Sequence, residues 1–394
     1  MKIVLYVVAL GALGVAAILL VGRGFSSNNF DKGQTEFEVG NYQAAIELWM
    51  PLAKNGHEAA QVGLATIFRC GDNATKDPAA AFEWYELAAA QGNAAAQRWL
   101  STYLLDGWRF DIRRDKPRAV QLLQEAAEKG NADAQYILSR WFHSDLYGVE
   151  RDDKVSMMWL MRAAHQDHPE AQFQLALSHV RGDGVERDLD QAVHWVRRSA
   201  DNGYVTAVVA LAGYYRHGYG SLPVNYKEAV TLYQKAIEMG SCYEVNNARH
   251  ALGTMFALGE GVTEDHEQAC RLFEISAEGE HHEAMFDVGV CYEEGKGGPR
   301  DLIKAYSWYS NVIVLAEANL DWFRSSGEDG EYLANSHTDR VILDRSLERF
   351  DALKQVLTPA ELTKAEKLAE EWQVSIEEEF EQKRKGRMEF MDSC

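Results

Sequence analysis

The sequence predicts an all-α fold, an α-α superhelical repeat solenoid of about eight helix pairs with a C-terminal helical cap. Two observations predict it. A motif recurs about every 36 residues, and an Asp or Asn that can start a helix stands at the same place in each repeat. The composition agrees, because only 7 of the 394 residues are proline and paired alanines recur along the chain. Both features favour helices over strands.

The amino-terminal segment has the length and character of a membrane anchor. Residues 3–21 carry no charge, and at 1.5 Å per residue they would extend roughly 28 Å, close to the thickness of the hydrocarbon layer. A cleaved signal peptide usually has an apolar core of about 7 to 15 residues, and here no A-x-A site follows the run. We therefore expect residues 1–23 to be an uncleaved signal anchor that crosses the inner membrane once, with 24–29 as a spacer and the body in the periplasm. The alternative is a soluble periplasmic protein after signal cleavage.

The first helix of each repeat is marked by an alanine near its beginning, with a large residue four positions later and a small one directly after that. These positions lie on one stripe of a helix, and the small residue lets a second helix approach closely. The marker alanines are Ala60, Ala96, Ala134, Ala171, Ala207, Ala248 and Ala284.

The second helix of each repeat begins after an Asp or Asn, whose side chain can accept hydrogen bonds from the first free backbone N–H groups. The regular recurrence of these residues indicates helix starts and not catalytic acids. Glycines just beyond the second helices suit left-handed caps, and Asp167 takes the place of one of them. The caps are Asn41, Asp77, Asp115, Asp152, Asp188, Asn225, Asp265 and Asp301, and the glycines are Gly56, Gly92, Gly130, Gly203 and Gly240.

These residues resemble the Sel-one-like repeat family, which is related to the tetratricopeptide repeat. The loops Gly182-Asp183-Gly184-Val185 and Gly259-Glu260-Gly261-Val262 match the pattern between the two helices of that repeat. The resemblance covers residues 30–318 and implies a helical solenoid that binds proteins.

The repeat pattern ends after Leu320, so we expect residues 319–394 to form a C-terminal helical cap with a polar loop at 324–336. Thr358 and Glu361 have the spacing of a capping box at the start of the last helix, and Pro359 suits its first turn.

Catalytic and nucleic-acid-binding patterns are missing from the sequence. The net charge of −20 disfavours nucleic acid as a partner. His282-Glu283 begins like a zinc-protease motif, but Phe286 stands where the second histidine is required. Neither S-x-x-K nor G-x-S-x-G occurs. We therefore expect no enzymatic activity, no metal and no cofactor.

The five cysteines show no C-x-x-C spacing. Cys242 and Cys270 belong to one repeat, but they stand near the starts of two antiparallel helices, which lie at opposite ends of the pair. The expected state of the cysteines is the buried free thiol.

One side of the first helices is the candidate partner-binding surface, because in a superhelical array it would line the concave face. Trp, Tyr and Arg are frequent anchors of protein interfaces. The alternative is that the rings pack beneath the next repeat. The candidate residues are Trp99, Tyr103, Arg140, Trp141, Tyr214 and His217.

The resemblance implies a non-enzymatic scaffold or adaptor that is anchored in the bacterial envelope and binds another protein, either a secreted effector or an envelope complex. Similar exported repeat proteins include immunity proteins that inhibit type VI secreted phospholipase effectors. Two alternatives follow from other relatives. One is a hydrolase of the lactam-binding kind, and the other is a secretory-pathway quality-control adaptor, whose membrane span usually follows the repeats.

Overall fold

The structure is a computed structural model. The predicted anchor at 1–23 and most of the predicted spacer lie outside the residues that it describes. Within the described part of the chain, no helix is both long and apolar enough to cross a membrane. The described residues are 28–390 without 73, 108–111, 145, 241–242 and 327–332.

The chain divides into two compact units. The first comprises the described residues up to Gln166 and those from Lys385 onward, and the second is Asp167–Arg384. The helices of the first unit are α1 (28–38), α2 (Tyr42–Lys54), α3 (Glu58–Cys70), α4 (Pro78–Ala90), α5 (Ala94–Leu105), α6 (Lys116–Glu128), α7 (Ala132–Ser144) and α8 (Asp153–His165).

The second unit continues the same arrangement with longer helices at its end. Between Asp167 and Arg384 the described residues form no β-strand, and Tyr219 and Leu222 make an isolated bridge. The helices that begin in this unit are α9 (Pro169–Arg181), α10 (Leu189–Asp201), α11 (Val205–His217), α12 (Tyr226–Glu238), α13 (Tyr243–Leu258), α14 (His266–Glu278), α15 (His282–Glu294), α16 (Leu302–Ser326), α17 (Leu333–Val356) and α18 (Pro359–Phe390).

Each unit is a series of helix pairs. Short connections fold successive helices back on one another, and neighbouring helices within a unit pack together. This is the packing of an α-α repeat solenoid, so the predicted fold class is confirmed.

A helix begins directly after each of the eight predicted residues, and at seven of them the side chain also makes the predicted capping hydrogen bond. At Asp265, for example, the carboxylate accepts a hydrogen bond from the backbone N–H of Gln268 at 2.9 Å. Asn41 is the exception, since its side-chain amide donates to Glu36 at 2.7 Å and caps nothing.

The predicted left-handed residues after the second helices are also confirmed, because all five glycines have positive φ. Asp167 adopts the same conformation with φ +61°. Asp tolerates this region better than most residues, and here the carboxylate accepts hydrogen bonds from Arg198 at 2.6 Å and from Gln172 at 3.0 Å. These contacts, together with a hydrogen bond from Asn202, lower the pKa of the Asp167 carboxyl group.

The small residue of the first helix allows the second helix to approach closely, as predicted. A Cβ atom added to Gly253 in α13 would lie 2.7 Å from Cε1 of Phe273 in α14, so the ring occupies the space that a larger residue would need. Close packing of this kind buries Phe286, Tyr306 and Tyr309 in the core of the second unit.

The prediction of free thiols is wrong for Cys270 and Cys291, which form a disulfide with a Cα–Cα distance of 6.1 Å. Cys270 lies in the first turns of α14 and Cys291 in the last turns of α15. These two ends meet because α14 and α15 pack as an antiparallel pair. Cys291 belongs to the next repeat, so a pairing sought only between Cys242 and Cys270 does not reveal this bond. Cys70 is disulfide-bonded as well.

The C-terminal helices differ from the expectation in their connection. α16 continues to Ser326 and α17 begins at Leu333, so both ends of the predicted loop 324–336 are helical. Neither end contains glycine or proline, which allows the helices to extend. The capping box forms as predicted, since the backbone N–H of Thr358 donates to Glu361 at 2.9 Å and the N–H of Glu361 donates to the Thr358 hydroxyl at 3.4 Å.

Candidate functional site

Two of the three aromatic candidate residues in the first unit are buried. Tyr103 is 2% exposed and Trp141 is 5% exposed. Tyr103 packs against Tyr85 with ring centres 6.1 Å apart, and Trp141 packs against Tyr147 at 4.9 Å. The expectation that these two rings belong to an accessible partner-binding surface is therefore wrong, because they are part of the hydrophobic core of the first unit.

Trp99 is half-buried and makes cation–π contacts with two arginine side chains. The guanidinium carbons of Arg69 and Arg98 each lie 3.6 Å from the centre of a Trp99 ring. Nε and Nη1 of Arg98 are buried and have no acceptor among the described residues. Burial lowers the pKa of Arg98. Asp133, 3.8 Å away, opposes the shift, and Arg69 adds to it.

The remaining candidate residues are more accessible and lie in different units. Arg140 is exposed in the first unit, and His217 is exposed in the second. Tyr214, also in the second unit, is half-buried and stacks on Tyr219 with ring centres 4.1 Å apart and planes 7° apart. Burial raises the pKa of Tyr214 to about 12, and the neighbouring Tyr219 contributes to the shift.

A cavity of about 970 Å³ in the first unit is lined by four basic side chains. This local positive charge contrasts with the net charge of the whole chain, which is −20. One of the four, Arg118, already makes an ion pair of 2.7 Å with Glu86. The basic residues are Arg113, Arg114, Lys116 and Arg118.

A cluster of histidine and glutamate in the second unit was not predicted. His250 of α13 lies beside His281, the residue that precedes α15, with ring centres 4.7 Å apart. Nε2 of His281 is 3.4 Å from Oε2 of Glu283. One potential ligand atom from each of the three residues lies within 4.8 Å of the others.

Local structure explains how this cluster is held. Nδ1 of His281 accepts a hydrogen bond from the backbone N–H of Ala284 at 3.2 Å, so the imidazole caps α15. Nε2 of His250 lies 2.9 Å from Oδ2 of Asp287, one turn further along α15. Burial lowers the pKa of His281 to about 3, with the neighbouring His250 as a second cause, so the imidazole is neutral at physiological pH.

The cluster borders a cavity of about 320 Å³, which His250, Glu283 and Asp287 line on one side. Phe286 and Arg345 line it as well, with the guanidinium carbon of Arg345 4.2 Å from the centre of the Phe286 ring. The site thus contains two imidazoles, two carboxylates and one cation around an open space.

Short sequence motifs do not indicate this cluster, because it combines a residue of α13 with residues at the start of α15. Structural neighbours in a repeat protein are instead found about one repeat apart, and His250 precedes His281 by 31 positions. A comparison of successive first helices in register would have brought the two histidines together.

Comparison with known proteins identifies the repeats. The model of the Sel1 repeat matches seven segments, at residues 58–93, 94–131, 132–168, 169–204, 206–241, 247–281 and 282–310.

Individual relatives share part of this chain. An uncharacterized protein of Neisseria meningitidis serogroup B is 27% identical over 68% of this chain and 52% of its own length. The chitin synthase regulator SKT5 of Saccharomyces cerevisiae is 26% identical over 68% of this chain and 38% of its own length. The chain thus spans about half or less of these curated relatives. The crystal structure of a Sel1 repeat protein from Oxalobacter formigenes matches with 26% identity and a TM-score of 0.55, over 64% of this chain and 99% of that protein.

Proposed function

Because the chain belongs to the Sel1 repeat family, we propose that it is a non-enzymatic scaffold that binds another protein and is held in the bacterial inner membrane by residues 3–21. The observation that carries this proposal is the series of repeats over residues 58–310. Proteins with these repeats serve as scaffolds or regulators, and the relative from yeast is named as a regulator of chitin synthase.

The disulfide supports a periplasmic location for the repeats. Cys270 and Cys291 are bonded to each other, and structural disulfides persist in oxidising compartments such as the periplasm. The sequence places an apolar run before the repeats, which agrees with export of the body.

For the partner, we propose a secreted phospholipase effector of the type VI kind, which this protein would inhibit as an immunity protein. Such an effector acts on membranes in the envelope, where an anchored inhibitor would meet it. The net charge of −20 favours a partner with a basic surface, because complementary charge accelerates association.

Accessible residues of the first helices are the proposed contacts. Arg140 of α7 and His217 of α11 are exposed, and Trp99 and Tyr214 are half-buried. An Arg on a helical surface can make two hydrogen bonds to a carboxylate of the partner. The buried rings Tyr103 and Trp141 would act indirectly by holding these helices in place.

Affinity capture with paired variants tests the interaction surface. Full-length protein would be captured from detergent-solubilised membranes, and its bound proteins compared with those of Arg140→Glu and Lys235→Glu. Lys235 is exposed on the second helix α12, so the control makes the same charge reversal on the other kind of helix. We expect Arg140→Glu to reduce capture of the partner at least tenfold and Lys235→Glu to leave it unchanged. Equal effects of the two reversals would contradict the proposed surface.

Co-expression with a periplasm-directed type VI phospholipase tests the proposed partner. We expect wild-type protein to restore growth and to inhibit the purified lipase at equimolar amounts. Growth arrest together with undiminished lipase activity would rule out the immunity function, and a different captured protein would still identify the scaffold's partner.

A further inference from the structure

We propose that His250, His281 and Glu283 form a binding site for a divalent transition-metal ion of the Zn²⁺ kind. Their potential ligand atoms lie within 4.8 Å of one another. Imidazole nitrogen and carboxylate oxygen are preferred ligands of Zn²⁺, and two histidines with one glutamate form a known type of open zinc site.

The three side chains need only a small movement to bind an ion. At metal–ligand distances of about 2.0 to 2.2 Å, ligand atoms around a tetrahedral ion are roughly 3.5 Å apart, so the widest separation must close by about 1 Å. Glu283 can make this movement because its side chain is 40% exposed. His281 is held in place by its backbone hydrogen bond.

Asp287 completes the surroundings that such a site requires. A metal-bound histidine usually donates the N–H of its other ring nitrogen to a carboxylate. This hydrogen bond orients the imidazole and increases its basicity. Asp287 is placed for this role, because its Oδ2 lies 2.9 Å from Nε2 of His250. The carboxylates of Glu283 and Asp287 outweigh the single cation Arg345 at the cavity, so a divalent ion is favoured there.

The capping hydrogen bond at the start of α15 determines which nitrogen of His281 carries the proton before a metal ion binds. Nδ1 accepts the N–H of Ala284, so the proton of the neutral ring is on Nε2, the atom nearest Glu283. A metal ion at Nε2 requires the other neutral tautomer, in which the proton is on Nδ1 and the capping hydrogen bond from Ala284 is open. One capping hydrogen bond is a small loss compared with the bonds to a zinc ion.

The open side of the site is the cavity of about 320 Å³. Three protein ligands leave a coordination position free in a zinc site, and here that position would be next to Arg345 and Phe286. An anion or a carboxylate from a partner could bind there to both the ion and the guanidinium group.

Two other capping histidines show that the helix cap alone does not explain the cluster. His57 and His168 cap α3 and α9 in the same way through Nδ1. His168 even has an acidic neighbour at the same spacing, with Nδ1 3.3 Å from Oε2 of Glu170. Of these three capping histidines, His281 alone belongs to a group of described residues that could hold a metal ion.

Metal titration of matched variants tests the proposal. The untagged full chain would be freed of metal with EDTA, dialysed and titrated with Zn²⁺ by calorimetry, and Co²⁺ would report tetrahedral coordination by its visible absorption. We expect one Zn²⁺ per chain with a dissociation constant below about 10 μM. His281→Asn and His250→Gln should each weaken binding at least tenfold, and the control His168→Asn should leave it unchanged.

The choice of Asn at 281 keeps the helix cap, because Asn93 and Asn131 cap the equivalent helices α5 and α7. An unchanged thermal midpoint of metal-free His281→Asn would confirm that its fold is intact. Should that variant unfold, His250→Gln and Glu283→Gln provide the same comparison without touching the cap. The proposal is overturned if no saturable Zn²⁺ binding is found, or if variants of the cluster and the His168 control bind equally well.

Discussion

The disulfide between Cys270 and Cys291 gives a quantitative prediction for the second unit. Replacing either residue by alanine removes the same covalent bond between α14 and α15. The position is tightly packed, since Cys270 is buried and Gly297 of the following loop lies against it with no space for a Cβ atom.

The expected loss follows from the length of the chain between the two cysteines. Their separation is 21 residues, and the chain-entropy relation for a closed loop of that size gives about 3 kcal/mol at 25 °C. For a unit of roughly 200 residues, this corresponds to a decrease of about 6 to 12 °C in the thermal midpoint.

Urea unfolding of Cys270→Ala, Cys291→Ala and the double variant measures this loss. If the two residues are bonded, each single variant loses the whole effect and the double variant is scarcely less stable than either. Peptide mapping without reductant should show the linked pair in the wild type. The matched control is Ala257→Ser on α13, a half-buried position away from the disulfide.

Additive effects of the two single substitutions would refute this reasoning, because independent free thiols contribute separately to stability. A loss below about 1 kcal/mol in both single variants would also refute it, since only the packing of a small side chain would then have been removed.

Three further predictions concern the fold. Trp141→Ala should reduce the free energy of unfolding by about 3 to 5 kcal/mol, because Trp141 is buried, and Trp99→Ala should reduce it by less, because Trp99 is half-exposed. Urea midpoints measure both losses, and equal losses would contradict the assignment of Trp141 to the core. Asp265→Ala should cost about 1 kcal/mol and Asn41→Ala almost nothing, because only Asp265 accepts a capping hydrogen bond; a large loss at Asn41 would contradict this. The pKa of Asp167 is lowered in the folded state, so its stabilisation is present above the ordinary carboxyl pKa of about 4 and is lost as pH falls through the lowered value. Thermal midpoints of Asp167→Asn should therefore fall less than those of the wild type on acidification, and parallel pH curves would argue against it.

Helix positions were predictable from the sequence because each depends on local chemistry. A carboxylate at a helix start, such as Asp188, satisfies backbone groups two and three residues away, and that arrangement needs no information about the rest of the chain. Seven of the eight predicted caps form for this reason. Asn41 fails because a competing partner, Glu36, is available at the end of α1.

Burial of the aromatic residues was harder to predict. Trp99 and Trp141 are both on first helices, but one is half-buried and the other buried. The difference depends on which side chains from neighbouring segments reach each ring. Tyr147, in the connection after α7, covers Trp141 in a conformation with positive φ that the sequence pattern does not specify. Interactions between repeats, including the disulfide, are missed by any comparison made within one repeat.

The register between repeats explains why the histidine cluster lies where it does. In each of two residue pairs, one residue stands two positions after the marker alanine of a first helix. The other stands directly before the marker alanine of the next first helix. In the first unit these two positions hold Arg98 and Asp133, 3.8 Å apart. In the second unit they hold His250 and Glu283, which are joined by the capping His281. The same backbone arrangement thus brings together an ion pair in one unit and three potential metal ligands in the other. The repeat determines which residues meet, and the residue types at those positions determine whether the contact is structural or can bind a ligand.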